Sequence, residues 1–197
     1  LHTAYRRQRQ MCIRDSDVAI PVDEGTLQLR ISGNYPWQEE VNIEITSPAP
    51  VTHTLALRLP DWCASPAVSL NGERITGDVS RGYLYLTRRW QEGDTLTLTL
   101  PMPVRRVYGN PLVRQQAGKV ALQRGPLVYC LEEADNGANL HNLSLPEQSE
   151  FRVFEGKGIF AHKILIQAEG IARHADEEGT QALWQYDRAP VQRQPRT

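Results

Sequence analysis

Residues 94–100 read DTLTLTL, with Leu96, Leu98 and Leu100 alternating with Thr95, Thr97 and Thr99. A strand sends successive side chains to opposite faces, so this segment has one apolar face and one polar face. A helix, with its period of 3.6, would scatter the three leucines around its circumference. Threonine is β-branched and favours extended backbone, so propensity agrees with pattern. The same period recurs in TLQLRI (Leu27, Leu29, Ile31), VNIEI (Val41, Ile43, Ile45) and TLALRL (Leu55, Leu57, Leu59). The pattern predicts a core holding Leu55, Leu57, Leu96, Leu98 and Leu100, with Thr97 and Thr99 on the wet face.

The segments between these strands carry turn chemistry. Asn71-Gly72 is the dipeptide that tolerates the positive φ angles of a tight hairpin, and QEGD at residues 91–94 precedes the Thr/Leu strand. Strands about ten residues apart with turns between them predict antiparallel sandwiches. Three prolines in PMPVRRVYGNP, residues 101–111, close this series. A second series follows: GKVALQRG, PLVYCLE, EFRVF, ILIQAEGI and TQALWQY. The expected fold is therefore all-β, with two consecutive antiparallel β-sandwich domains, residues 17–105 and 106–197.

Composition narrows the function. The chain is 40% hydrophobic with a net charge of -1, which gives no electrostatic reason to expect nucleic acid or a membrane surface as partner. No apolar run approaches the roughly 20 residues of a spanning helix. The N-terminus is Arg-rich, but it lacks the apolar middle of a secretory signal and the amphipathic face of a transit peptide. The three cysteines, Cys12, Cys63 and Cys130, are odd in number and widely scattered. That is no disulfide framework and suits a reducing, cytoplasmic compartment.

Candidate chemistry is sparse. Cys63 and Cys130 are the residues to weigh as nucleophiles or metal ligands, yet neither has a Cys or His at ligand spacing. A lone Cys in an apolar strand such as LVYCLE reads first as a small buried hydrophobe. His2, His53, His141, His162 and His174 are scattered. The acidic runs Glu39-Glu40, Glu132-Glu133 and Asp176-Glu177-Glu178 put carboxylates side by side in sequence, whereas a glycosidase needs two facing each other across a cleft. Trp37, Trp62, Trp90 and Trp184 could stack on sugar rings, but in a small sandwich they read first as core or corner residues. Gly156-Lys157-Gly158 lacks phosphate-loop spacing, and Asn142-Leu143-Ser144 is a short glycosylation match with no further support. The residues alone describe accessory β domains, with no catalytic residue, no metal ligand and no assignable substrate-binding residue.

A colinear series of segments supplies more. LALRLPDWC, SLNGERI, GYLYLTRRWQEGDTLTLTLPMPVRRV and GKVALQRGPLVYCLEEADN together resemble the C-terminal region of glycoside hydrolase family 127, the bacterial non-reducing-end β-L-arabinofuranosidases. The resemblance spans residues 31–188. It implies a parent with a helical α/α-barrel catalytic domain followed by two β-sandwiches, acting on terminal arabinofuranosides with retention of configuration. It also implies a catalytic cysteine held on zinc by further cysteines and a glutamate, all in the barrel. No catalytic or zinc residue carries over to this chain, which has no Cys-Cys pair. Cofactors are therefore expected only in the barrel, and the expected partner of these domains is that barrel.

Two further expectations concern the ends. Family members continue past a segment like LWQYDRAP into further strands, so the second sandwich is expected to be incomplete. RQRQMCIRDS, within residues 1–16, matches nothing in the family and resembles translated sequencing-adapter sequence, so these residues are expected to be a non-native or disordered tail. The rival reading is a stand-alone carbohydrate-binding or structural β-sandwich module; carbohydrate binding would need an exposed, coplanar aromatic pair, for which Trp37 and Trp62 are the candidates.

Overall fold

A computed structural model describes residues 16–22, 25–174 and 192–196. The chain divides into two compact units, Leu1–Pro103 and Val104–Thr197.

Nine strands build the first unit: β1 Ser16–Val22, β2 Gly25–Gly33, β3 Glu40–Ile45, β4 Val51–Arg58, β5 Ala67–Leu70, β6 Glu73–Ile75, β7 Asp78–Ser80, β8 Tyr83–Trp90 and β9 Thr95–Thr99. They form two antiparallel sheets, a six-stranded one in the order β1-β2-β3-β9-β5-β6 and a three-stranded one in the order β4-β8-β7. The chain passes between the sheets at residues 46–50, 59–66, 76–77 and 91–94, so both sheets share one core. Leu27, Leu29, Ile43, Ile45, Val68, Leu70, Leu96 and Leu98 come from the larger sheet, and Val51, Leu55, Leu57, Leu84, Leu86 and Trp90 from the smaller.

Alternation decides which residues are inside. Every leucine expected in the core is buried. Strand β9 sits between β3 and β5, with Thr97 opposite both Asn42 and Ser69. Thr97 and Thr99 are half-buried rather than on an open wet face. Neighbouring strands on both sides of a central strand shade its outer side chains, and the Thr97 hydroxyl donates to Asn42 Oδ1 at 2.8 Å. Ser16, expected in the N-terminal tail, is the first residue of β1 and lies opposite Ile31. Residues 1–15 lie outside the described residues.

The Asn71-Gly72 hairpin forms as the dipeptide predicts. Asn71 has φ 51° and Gly72 φ 86°, joining β5 to β6. The turn is also stitched to the one before β9. Asn71 Nδ2 donates to Asp94 Oδ1 at 2.9 Å, the Thr95 backbone N–H donates to Asn71 Oδ1 at 2.8 Å, and the Gln91 N–H donates to Asp94 Oδ2 at 2.9 Å. Burial pushes the Asp94 carboxyl up, but the Asn71 amide, the Gln91 N–H and the Arg88 charge together outweigh it and hold its pKa below the ordinary value. A carboxyl with a depressed folded pKa stabilises the fold above its unfolded pKa and loses that contribution as pH falls through the folded one. The first unit is therefore expected to lose stability as pH drops below about 4, and Asp94→Asn to flatten that loss. Urea midpoints measured across acid pH check this, and equal acid slopes in the two proteins would contradict it.

The second unit contains β10 Val104–Tyr108, β11 Val120–Arg124, β12 Leu127–Tyr129, β13 Leu143–Ser144, β14 Phe151–Glu155, β15 Ile164–Ala168, β16 Gly170–His174 and β17 Gln192–Arg196. They pair into small antiparallel sheets, β10-β11-β12, β13-β16-β17 and β14-β15. One four-residue α-helix, Glu133–Asn136, interrupts them. The two units together are thus nearly all β. The fifth segment of the second series, TQALWQY, lies outside the described residues.

Among the described residues of this unit, Ala172 is the only buried hydrophobic. Polar anchors take over part of the work of a core. Arg106 on β10 donates from Nη2 to Pro146 O at 2.7 Å and to Ser149 O at 3.1 Å, and from Nη1 to Glu147 O. Its guanidinium lies 5.0 Å from the Phe151 ring centroid. Tyr129 on β12 donates its hydroxyl to Ile164 O at 3.1 Å, linking the first small sheet to β15. Burial pushes the Tyr129 pKa up despite the nearby Arg124 charge, so the ring stays neutral and keeps its proton to donate.

Candidate functional site

Among the described residues, the sequence-derived candidates do not converge. Cys63 is buried in the first unit, with Sγ 3.9 Å from Pro101 O. Cys130, expected from LVYCLE to be a buried strand residue, is exposed instead, because β12 ends one residue before it at Tyr129. No group of three or more His, Cys, Asp or Glu among the described residues could hold a metal ion. A thiolate–zinc centre needs several soft ligands on one ion, and the arrangement around these two cysteines does not fit one. Cys12 and His2 lie outside the described residues.

The remaining candidates are scattered too. His53 is half-buried on β4 and His141 is exposed. His162 is exposed, its Nδ1 3.3 Å from Glu155 Oε1. His174 ends β16. Glu39 serves the fold: its Oε1 accepts the Met102 backbone N–H at 3.0 Å, and its carbonyl accepts the Leu100 N–H at 2.8 Å. Glu132 precedes the short helix and accepts the Asn136 N–H at 3.0 Å. Asp176, Glu177 and Glu178 lie outside the described residues. Ser144, from the glycosylation match, donates its hydroxyl to Ile171 O at 3.3 Å. Residues 156–158 lead into a 3-10 turn at Gly158–Phe160.

The tryptophans answer the stacking question in part. Trp90 is fully buried, with Nε1 donating to His53 O at 2.9 Å. Trp62 is half-buried against the core, and Trp37 is half-buried. Trp184 lies outside the described residues.

The aromatic surface lies elsewhere. Tyr83 and Tyr85 project from β8 on the outward face of the three-stranded sheet, 39% and 38% exposed. Their ring centroids are 6.4 Å apart and their planes are tilted by 44°. Across from Tyr85 lie Ala56 on β4 and Asp78 on β7, and Ser80 lies across from Tyr83 on β7. Arg58, opposite Tyr83 on β4, holds its guanidinium 5.3 Å from the Tyr83 ring centroid and donates to Gly82 O at 2.8 Å. Thr54 and Thr87 share a hydroxyl hydrogen bond of 2.8 Å on the same face. The signal for this surface is in the sequence: in GYLYLT, the alternation that sends Leu84 and Leu86 inward must send both tyrosines outward.

Comparison with known proteins places the chain. Residues 14–102 match the family model of the β-L-arabinofuranosidase GH127 middle domain, and residues 104–183 that of the glycoside hydrolase family 127 C-terminal domain. A curated relative, the non-reducing end β-L-arabinofuranosidase of Bifidobacterium longum subsp. longum, is 34% identical over 74% of this chain, which spans only 23% of that protein. Among solved structures, Ara127N-Se, a GH127 β-L-arabinofuranosidase from Geobacillus stearothermophilus T6, is 37% identical with a TM-score of 0.78, covering 92% of this chain and 28% of that one. The GH127 β-arabinofuranosidase BT3674 is 27% identical with a TM-score of 0.80, covering 92% of this chain and 30% of its own. The two matched models abut at Pro103, where the chain also divides into its two compact units. By these matches and by its two β units, the chain belongs to glycoside hydrolase family 127, whose middle and C-terminal domains it carries.

Proposed function

We propose that this chain is the accessory, non-catalytic part of a glycosidase that releases terminal β-L-arabinofuranose with retention, and that its two units support a catalytic barrel in the same protein. One observation carries the reading: the family models matched are those of the middle and C-terminal domains, over a span that is 23% of the Bifidobacterium relative. In this reading the cysteine nucleophile and its zinc belong to the barrel, and Cys63 and Cys130 are structural or incidental. Glycans ending in arabinofuranose are substrates of the whole protein. The free thiols of Cys63 and Cys130 support a reducing compartment, and we assign the protein to the cytoplasm. No helix among the described residues is long and apolar enough to cross a membrane.

The rival reading, a stand-alone carbohydrate-binding module, calls for an exposed, coplanar pair at Trp37 and Trp62, and both are half-buried. The support reading is testable in the Bifidobacterium relative. Removing the region that this chain matches should lower the thermal midpoint of the remainder and reduce its hydrolysis of arabinofuranosides. An unchanged midpoint with full activity would contradict a supporting role.

A further inference from the structure

The outward face of the β4-β8-β7 sheet carries a surplus of positive charge beside its tyrosine pair. Its three strands and the β7–β8 turn carry Arg58, Arg81, Arg88 and Arg89 against one carboxylate, Asp78. Arg58 and Arg89 lie on the tyrosine face, opposite Tyr83 and Thr52 respectively, and Asp78 sits opposite Tyr85. The tyrosine rings present flat apolar surface of the kind that the C–H face of a sugar ring covers. The surplus of guanidinium groups selects for negative charge, and the fork of an arginine matches a carboxylate.

We propose that this face binds a carboxylate-bearing polysaccharide chain, with a sugar ring lying on Tyr85 and uronate groups meeting Arg89 and Arg58, whose guanidinium packs on Tyr83. This site stands apart from the assignment to a glycosidase, since it needs only residues of the first unit. Asp78 is the one like charge in the way of such a ligand, so its removal should strengthen binding.

Affinity electrophoresis of the full 197-residue chain tests this, in gels holding polygalacturonate, neutral dextran or polyglutamate. Retardation is expected in polygalacturonate alone, and it should fade with added salt. Tyr85→Ala should weaken it roughly five- to tenfold, the scale of one lost ring contact. Tyr85→Phe should keep it, and Asp78→Asn should increase it. Equal retardation by dextran would replace the acidic glycan with a neutral one and overturn the charge argument. Equal retardation by polyglutamate would reduce the site to a cation patch, also against the proposal. No retardation, or Asp78→Asn without gain, would overturn it outright.

Discussion

Trp90→Ala is expected to cost the first unit about 3–5 kcal/mol, the usual range for emptying a buried aromatic site. Trp90 is 0% exposed at the end of β8, within the core that both sheets share. Three losses add up. The cavity left by an indole is too large for surrounding leucines to close. The His53 carbonyl loses the Nε1–H it accepts at 2.9 Å. Arg88, whose guanidinium lies 5.4 Å from the ring centroid, loses its stacking partner. Trp90→Phe separates these contributions, since it keeps most of the volume and removes the hydrogen bond. It should cost less than the alanine, with about 1 kcal/mol from the lost donor. Urea unfolding followed by far-ultraviolet circular dichroism measures both. A cost for Trp90→Ala of about 0.5 kcal/mol or less, the level of an ordinary surface change, would mean that the two sheets do not share a core at this position.

The second large effect lies in the second unit, at Arg106. Arg106→Met keeps the aliphatic stem and removes every donor, leaving Pro146 O, Glu147 O and Ser149 O without the guanidinium that gathers them. Hydrogen bonds to a charged group contribute about 1.5–3 kcal/mol each where they are shielded. Arg106 is half-buried and water can replace part of what is lost, so the expected cost is about 2–3 kcal/mol. Arg106→Lys should not restore it. A single ammonium has no planar fork to span three carbonyls and stacks less well on Phe151. Hydrogen exchange over residues 143–155 should quicken in both variants. A lysine variant as stable as the parent would show that charge alone, rather than the fork, holds this segment.

These two residues mark how far the sequence could be read. The inside of the first unit was legible because period two assigns faces: Leu96 and Leu98 had to share a side, whatever lay next to them. Strand neighbours were not legible in the same way. Nothing in DTLTLTL says that β9 inserts between β3 and β5, because alternation fixes which way a side chain points and not which strand lies alongside. That insertion is why Thr97 is half-buried and bonded to Asn42 rather than open to water. The Asn71-Gly72 turn was legible from local sterics, whereas its ties to Asp94 depend on two turns meeting across the sheet.

The second unit was harder to read for a related reason. Arg105-Arg106 looks like a solvated pair, and only the folded chain brings Pro146 and Ser149 to Arg106 from 40 or more residues away. Contacts of this kind, made between residues so far apart in sequence, carry no local period to read. Spacing in the sequence sets no further Cys or His at ligand distance from Cys63 or Cys130; in the folded chain Cys63 is buried and Cys130 exposed. Tyr83 and Tyr85 are legible from the alternation around Leu84, which places both outside.

The central claim is that these two units belong to a family 127 glycosidase without housing its chemistry. The most direct measurement is made on the purified chain itself, by determining bound zinc and assaying hydrolysis of a chromogenic β-L-arabinofuranoside. The account predicts zinc far below one equivalent and no release of chromophore above the buffer rate. Zinc near one equivalent, together with turnover abolished by Cys63→Ser or Cys130→Ser, would contradict it and place an active site inside these β domains.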